Sequence, residues 1–225
     1  MPRESKANKR TRALAVAQRM NQRYPQAECA LTFHDPFTLV IAVLLSAQTT
    51  DVAVNKVSTE LFSRWPDPQA MAAADLNEIE KVIRTIGFYH VKAKNCIACA
   101  RMILSDYGGE VPASMDDLVR LPGVGRKTAN IVLNNAFGIV EGIAVDTHVF
   151  RIAHKLGFSA QSSDTPNKTE KDLLALYPRE MWGPINHQWV LFGREVCIAR
   201  RPRCPECPLN DLCPSASASA TTIRH

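Results

Sequence analysis

The chain lacks any apolar stretch able to span a bilayer. Its longest run is Leu39 to Leu45, rejoined by Ala47 after Ser46, whereas a membrane helix needs about 20 such residues. The start of the chain has no apolar core of the secretory-signal type. No segment alternates apolar and polar residues over a useful length, and no hairpin turn signal separates such segments, which argues against strands. No internal repeat is visible. Acidic residues are scarce at the beginning: residues 1–23 hold Arg3, Lys6, Lys9, Arg10, Arg12, Arg19 and Arg23 against Glu4 alone. This surplus of six exceeds the +5 of the whole chain, so the remainder is close to neutral. A basic arm on a near-neutral body suits a polyanion such as nucleic acid. A solvated tail is the plainer reading of the charge alone. A transit peptide is disfavoured because Ala13, Val16, Ala17 and Met20 repeat as the buried face of a helix. With 225 residues and 46% hydrophobic content, the expected class is a soluble, intracellular protein with a sizeable core.

What is present is helical periodicity. Asp35-Pro36 reads as an N-cap followed by a first-turn proline, opening a buried helix over the apolar run. Thr50-Asp51 opens another, which ends near Trp65-Pro66. Ile79, Val82, Ile83 and Ile86 keep helical spacing, with Gly87 as the stop. Ala93, Cys96, Ile97, Ala100 and Leu104 repeat the pattern up to Gly108-Gly109. Ser114 caps a short helix running to Arg120. Thr128 to Phe137 carries no charge and is expected to be deeply buried. Val149, Ile152, Ala153 and Leu156 mark the next helix, and Trp182, Ile185, Trp189, Phe192 and Val196 a long one. The fold class is all-α. The tail from Pro214, with Ser-Ala repeats from Ser215 to Ala220, reads as low-complexity and disordered.

Seven cysteines, an odd number, do not suggest a disulfide framework, and four of them crowd into residues 197–213. They read Cys197-x6-Cys204-x2-Cys207-x5-Cys213, with Pro205, Pro208 and Pro214 stiffening the loops. Four thiolates this close can surround one metal centre; the chemistry alone leaves a [4Fe–4S] cluster and zinc both open. Arg200, Arg201 and Arg203, between the first two ligands, are candidate phosphate contacts against the alternative of a solvated loop. Cys96 and Cys99 form a C-x-x-C inside an amphipathic helix and read as core. Cys29 is isolated.

Leu121-Pro122-Gly123-Val124-Gly125-Arg126-Lys127-Thr128-Ala129 joins two helices. Gly123 and Gly125 let the backbone turn sharply and approach a ligand. The amides then point outward at the start of the next helix, where the dipole favours a phosphate. This is a helix-hairpin-helix pattern of sequence-independent DNA binding. Lys127, in the first turn of that helix, is either a further phosphate contact or a nucleophile. An amine at a helix start, partly stripped of water, gives up its proton more readily and can attack a sugar carbon to form a Schiff base. Asp146, in Val145-Asp146-Thr147-His148, reads as an N-cap and also as a carboxylate able to stabilise positive charge on a sugar.

Taken together, these residues resemble the endonuclease III family of the helix-hairpin-helix DNA glycosylase superfamily. The resemblance runs from about Ala13 to Cys213. It rests on Leu45-Ser46-Ala47-Gln48-Thr49-Thr50-Asp51, the hairpin from Leu121 to Asn130, Val145 to His148, and the cysteine spacing. It implies two helical domains: a six-helix barrel over 29–139 and a cluster domain from 1–28 with 140–225, with the active site in the cleft between them. It implies a [4Fe–4S] cluster on Cys197, Cys204, Cys207 and Cys213, with Lys127 as nucleophile and Asp146 as its carboxylate partner. It also implies DNA contacts from Gln48, which would fill the gap left by a flipped nucleotide, from Gly123, Gly125, Arg126 and His148, and from Phe88 as a wedge. An aromatic at the wedge position departs from the aliphatic residue of many relatives and could stack on neighbouring bases.

The activity implied is a bifunctional glycosylase and AP lyase removing oxidised pyrimidines. The partner would be double-stranded DNA with damaged pyrimidines or abasic sites. No membrane is expected, the chain would be a monomer, and the location would be cytoplasmic, at the nucleoid through DNA. A monofunctional mismatch or adenine glycosylase of the same fold is disfavoured by Lys127. A non-catalytic, metal-stabilised DNA-binding protein is disfavoured by the presence of both Lys127 and Asp146.

Overall fold

The computed structural model describes residues 4–216, and among them regular structure is entirely helical. The chain separates into two units, Met1–Glu28 with Gly142–His225, and Cys29–Glu141.

The first unit begins with α1 (Lys6–Arg23), where the Ser5 hydroxyl accepts from the amide of Asn8. Ala13, Val16, Ala17 and Met20 form its buried face. The reading of this segment as a solvated tail fails, because several of its charges are used inside the unit. Arg12 donates to the carbonyls of Leu156 (2.7 Å) and Leu212 (3.0 Å) and pairs with Glu4 at 2.8 Å. Arg19 pairs with Asp211 and donates to the Pro208 carbonyl at 2.6 Å.

The second unit holds seven helices: α2 (Pro36–Leu45), α3 (Asp51–Arg64), α4 (Pro68–Ala72), α5 (Leu76–Ile83), α6 (Tyr89–Tyr107), α7 (Met115–Leu118) and α8 (Arg126–Phe137). Asp35 and Thr38 form a reciprocal capping box on α2, with Thr38 N to Asp35 Oδ1 at 2.8 Å and Asp35 N to Thr38 Oγ1 at 3.1 Å. Every residue from Phe37 to Leu45 is buried. At about 1.5–3 kcal/mol for each large apolar side chain removed from water, this helix is the centre of the unit. It packs on α8, and α6 packs on α4 and α5. α5 ends at Ile83, with Arg84 as its cap, so Gly87 is not its stop; Ile86 is buried from a following turn instead. Cys96 and Cys99 are fully buried within α6, and burial pushes the Cys99 thiol up to about 12. They belong to the core.

The first unit resumes with α9 (Thr147–Lys155), α10 (Pro166–Leu176) and α11 (Trp182–Glu195). Their core is built around Trp189, Ile152, Val149, Phe192 and Leu173, together with the buried face of α1. Pro214 to Ala216 departs from the disordered-tail expectation. Ser215 Oγ donates to the Lys155 carbonyl at 2.7 Å, and Ala216 is buried. The remainder of that tail, 217–225, lies outside the described residues, as does 1–3.

Candidate functional site

In the second unit, the hairpin before α8 is built by two glycines with different duties. Gly123 has φ +81°, and a Cβ there would stand 2.9 Å from Asn95 Nδ2 and 2.9 Å from Leu44 Cδ1. It is required by both backbone and space. Gly125 has an ordinary φ of −101°, and nothing lies within 4 Å of a Cβ built on it. It is the N-cap of α8 and offers no side chain to the helix start. The open ground beside the first amides of α8 is where an anion can approach.

Lys127 is the second residue of α8 and half-buried. Among the described residues its ammonium has no hydrogen bond or ion pair. Arg126, also half-buried, precedes it. Cys29, which the sequence left isolated, lies close enough to feel the charges of Asp51 and Lys127. Burial pushes the Cys29 thiol up, and Asp51 adds to this while Lys127 opposes it.

Gln48 and Phe88 are the non-glycine residues with left-handed backbone among the described residues, at φ 54° and φ 59°. Gln48 is the third residue of a turn closed by Thr49 N to Ser46 O at 3.0 Å, and its side chain is exposed. Phe88 is the N-cap of α6 and 66% exposed, which is unusual for a phenylalanine. Sequence reasoning gave no role to Lys92, which is 5% exposed and donates to Thr49 Oγ1 at 2.7 Å. A signal existed: Lys92 falls on the stripe of Cys96, Cys99 and Ile103, where an apolar residue is expected.

In the first unit, Asp146 is the N-cap of α9 and half-buried, its Oδ1 accepting from His148 N at 2.9 Å and Val149 N at 2.8 Å. His148 is half-buried and turned inward. Its Nδ1 lies 3.2 Å from Arg151 Nη2 and would be 2.6 Å from a Cβ at Gly193. Arg151 also donates to the carbonyls of Cys197 (2.8 Å) and Gly193 (3.2 Å). Arg200, Arg201 and Arg203 are exposed, and among the described residues none has an ion-pair partner. The loop that carries them is closed by Arg203 N to Val196 O at 2.9 Å.

Cys197, Cys204, Cys207 and Cys213 line one pocket with Ile152, Phe192 and Leu209. Among the described residues, no three His, Cys, Asp or Glu side chains converge tightly enough for a single metal ion. Four thiols lining one pocket are the donor set that an iron–sulfur cluster takes, one sulfur for each iron.

The family model of the HhH-GPD superfamily base excision DNA repair proteins matches residues 41–179, and that of the iron-sulfur binding domain of endonuclease III matches residues 197–213. The chain is 49% identical over 190 residues to endonuclease III of Bacillus subtilis, covering 84% of this chain and 86% of the relative. It is 43% identical over 204 residues to endonuclease III of Escherichia coli K12, covering 91% and 95%. Among solved structures, a trapped endonuclease III–DNA covalent intermediate matches with a TM-score of 0.89 at 43% identity, covering 94% of this chain and 98% of that one. A thermostable thymine-DNA glycosylase at 24% identity shares the fold, with a TM-score of 0.81. The chain belongs to the endonuclease III family of the helix-hairpin-helix base-excision repair superfamily, and its residues 197–213 are that family's iron-sulfur binding domain, which carries a [4Fe–4S] cluster.

Proposed function

We propose that this protein is a bifunctional DNA glycosylase and AP lyase that removes oxidised pyrimidines from double-stranded DNA in base-excision repair. The observation that carries the assignment of the nucleophile is the Lys127 amine, half-buried at the start of α8 and without a hydrogen bond or ion pair among the described residues. The hairpin amides beside Gly125 bind a DNA phosphate and bring the sugar of the damaged nucleotide to this amine.

The Lys127 amine donates its electron pair to C1′, and the bond from C1′ to the base breaks with protonation of the departing base. The attached nitrogen then loses its proton and the C1′–O4′ bond breaks, with a proton delivered to O4′, which opens the sugar to an imine. The resulting imine makes the C2′ proton acidic. Its removal expels the 3′ phosphate by β-elimination. Asp146 acts on the same nucleotide, stabilising positive charge on the sugar and moving protons. Its bonds to the amides of His148 and Val149 hold the carboxylate in place for this work.

Gln48 enters the duplex where the nucleotide has left, and Phe88 wedges or stacks beside it. Gly123, Gly125, Arg126, His148, Arg200, Arg201 and Arg203 complete the DNA contacts. Cys197, Cys204, Cys207 and Cys213 would hold the cluster, which supplies folding free energy to the Arg-bearing loop. The protein works in the cytoplasm, on the chromosome.

The test is borohydride trapping on a duplex with one thymine glycol. A covalent protein–DNA adduct that Lys127→Ala abolishes is the expected result. Base release without an adduct would mean a water-using, monofunctional enzyme.

A further inference from the structure

A lysine that is nearly all buried needs a reason, because its ammonium loses most of its hydration. Lys92 is 5% exposed, and burial pulls its ammonium below the usual lysine range. Its contacts give the reason. The side chain reaches out of α6 to Thr49 Oγ1 at 2.7 Å, its one hydrogen bond there among the described residues. Its backbone amide donates to the Phe88 carbonyl at 3.0 Å. One residue is thus bonded to Phe88 itself and to the immediate neighbour of Gln48. Among the described residues, Gln48 and Phe88 are also the two non-glycine residues held in left-handed backbone.

Left-handed backbone is strained for an L-residue and persists only where surrounding bonds over-determine it. The Gln48 turn has few such bonds besides the lysine. Ser46 N reaches Ala42 O and Ala47 N makes a long bond of 3.4 Å to Leu44 O at its start, Thr49 N reaches Ser46 O, Ser46 Oγ reaches Val43 O at 2.8 Å, and Thr49 Oγ1 makes a long bond of 3.4 Å to Ala47 O. Both side chains to be presented are exposed, so packing does not fix them.

We propose that Lys92 is a positioning residue that locks the Gln48 turn to the Phe88 cap, so that both side chains enter the duplex as one preformed tool. The inference rests on the reading of Gln48 and Phe88 as the residues that fill the gap. Lys92 touches neither the sugar nor the base. It acts before chemistry, by sparing the cost of ordering the turn when the nucleotide leaves the stack.

The experiment compares Thr49→Val, which removes the acceptor at a half-exposed site, Thr49→Ser, which keeps it, and Lys92→Met, which keeps the aliphatic volume. Each is measured as loaded protein in single-turnover base release from a thymine glycol duplex. Opening of the lesion is followed with a fluorescent adenine analogue placed opposite it. The comparison substrate is a single-stranded abasic oligonucleotide, which has no partner strand to fill. Loss of one hydrogen bond to a charged group corresponds to about tenfold. Thr49→Val and Lys92→Met should each slow opening and base release about tenfold on the duplex. Thr49→Ser should behave as the parent, and strand cleavage of the abasic oligonucleotide should be unchanged in all three.

Unchanged duplex opening in Thr49→Val would overturn the proposal, as would equal loss on both substrates, which marks a general structural role. If Gln48→Ala and Phe88→Ala also leave duplex opening unchanged, the underlying reading of the two wedges fails; if they slow it while Thr49→Val does not, only the role of Lys92 fails.

Discussion

Replacing Gly123 by alanine tests the division of labour within the hairpin. An alanine at φ +81° carries the left-handed penalty of roughly 1–2 kcal/mol. Its Cβ would also stand 2.9 Å from Leu44 Cδ1, 2.9 Å from Asn95 Nδ2 and 3.1 Å from Asn95 Cβ. The amide of Asn95 can swing aside, but its Cβ cannot. Leu44 is 3% exposed in the last turn of α2, so it has nowhere to move without disturbing the centre of the unit. Overpacking of this kind adds about 1–3 kcal/mol, for a combined cost of about 2–5 kcal/mol. For a chain of this size, each kcal/mol lowers Tm by about 2–4 °C, which gives a fall of roughly 4–20 °C. Gly125→Ala is the control. Its φ of −101° suits any residue and its Cβ meets nothing, so Tm should fall by no more than about 3 °C, from the weaker N-cap. Its methyl stands where the phosphate must approach, so this variant should instead lose affinity for undamaged duplex. Thermal unfolding by circular dichroism and a salt titration of DNA binding read the two effects separately. A Gly123→Ala protein with parental Tm would refute the argument from space and backbone, and a Gly125→Ala protein with parental affinity would refute the argument for an open anion site.

Lys127→Ala should abolish borohydride trapping and strand cleavage while retaining duplex affinity, since the hairpin amides stay; gel assays of adduct and binding check both. Asp146→Asn keeps an acceptor for the amides of His148 and Val149, so Tm should change by no more than about 4 °C, the cost of losing a charge at a helix start, while base release falls roughly 10²–10⁴-fold. Near-parental turnover would reduce Asp146 to its capping role. Cys204→Ala should lose iron and the stability of the first unit together, read by metal analysis and calorimetry. Arg12→Met combined with Arg19→Met removes the bonds from α1 to Leu212, Pro208 and Asp211. Iron release into a chelator, followed by bleaching of the visible absorbance, should then be about tenfold faster; an unchanged rate would show that α1 does not brace the cysteine loop.

Much of the architecture was legible in the chain because its signals are local. Asp35-Pro36 and Thr50-Asp51 cap helices through their own side chains, within one turn of themselves. The same logic was available at Asp67-Pro68 and Thr165-Pro166, which open α4 and α10, but no apolar stripe follows them to draw notice. α10 buries Thr169 and Glu170 beside Leu173 and Leu176, so its inner face does not look like one. Glu170 is satisfied by the amide of Ile143, 27 residues away in the chain, and no local pattern contains that bond.

The candidate site divides along the same line. Residue types and spacings, read with a family resemblance, were enough to nominate Lys127, Asp146, the hairpin and the four cysteines, because their chemistry is a property of the side chains themselves. Only the tertiary structure separated Gly123 from Gly125, since two identical residues differ there by what packs against them. It also decided that Arg12 and Arg19 of α1 bond to carbonyls of their own unit, and that Lys92 reaches the Gln48 turn. Those outcomes depend on contacts between segments distant in sequence, where burial and hydrogen-bond geometry, not residue identity, set the free energy.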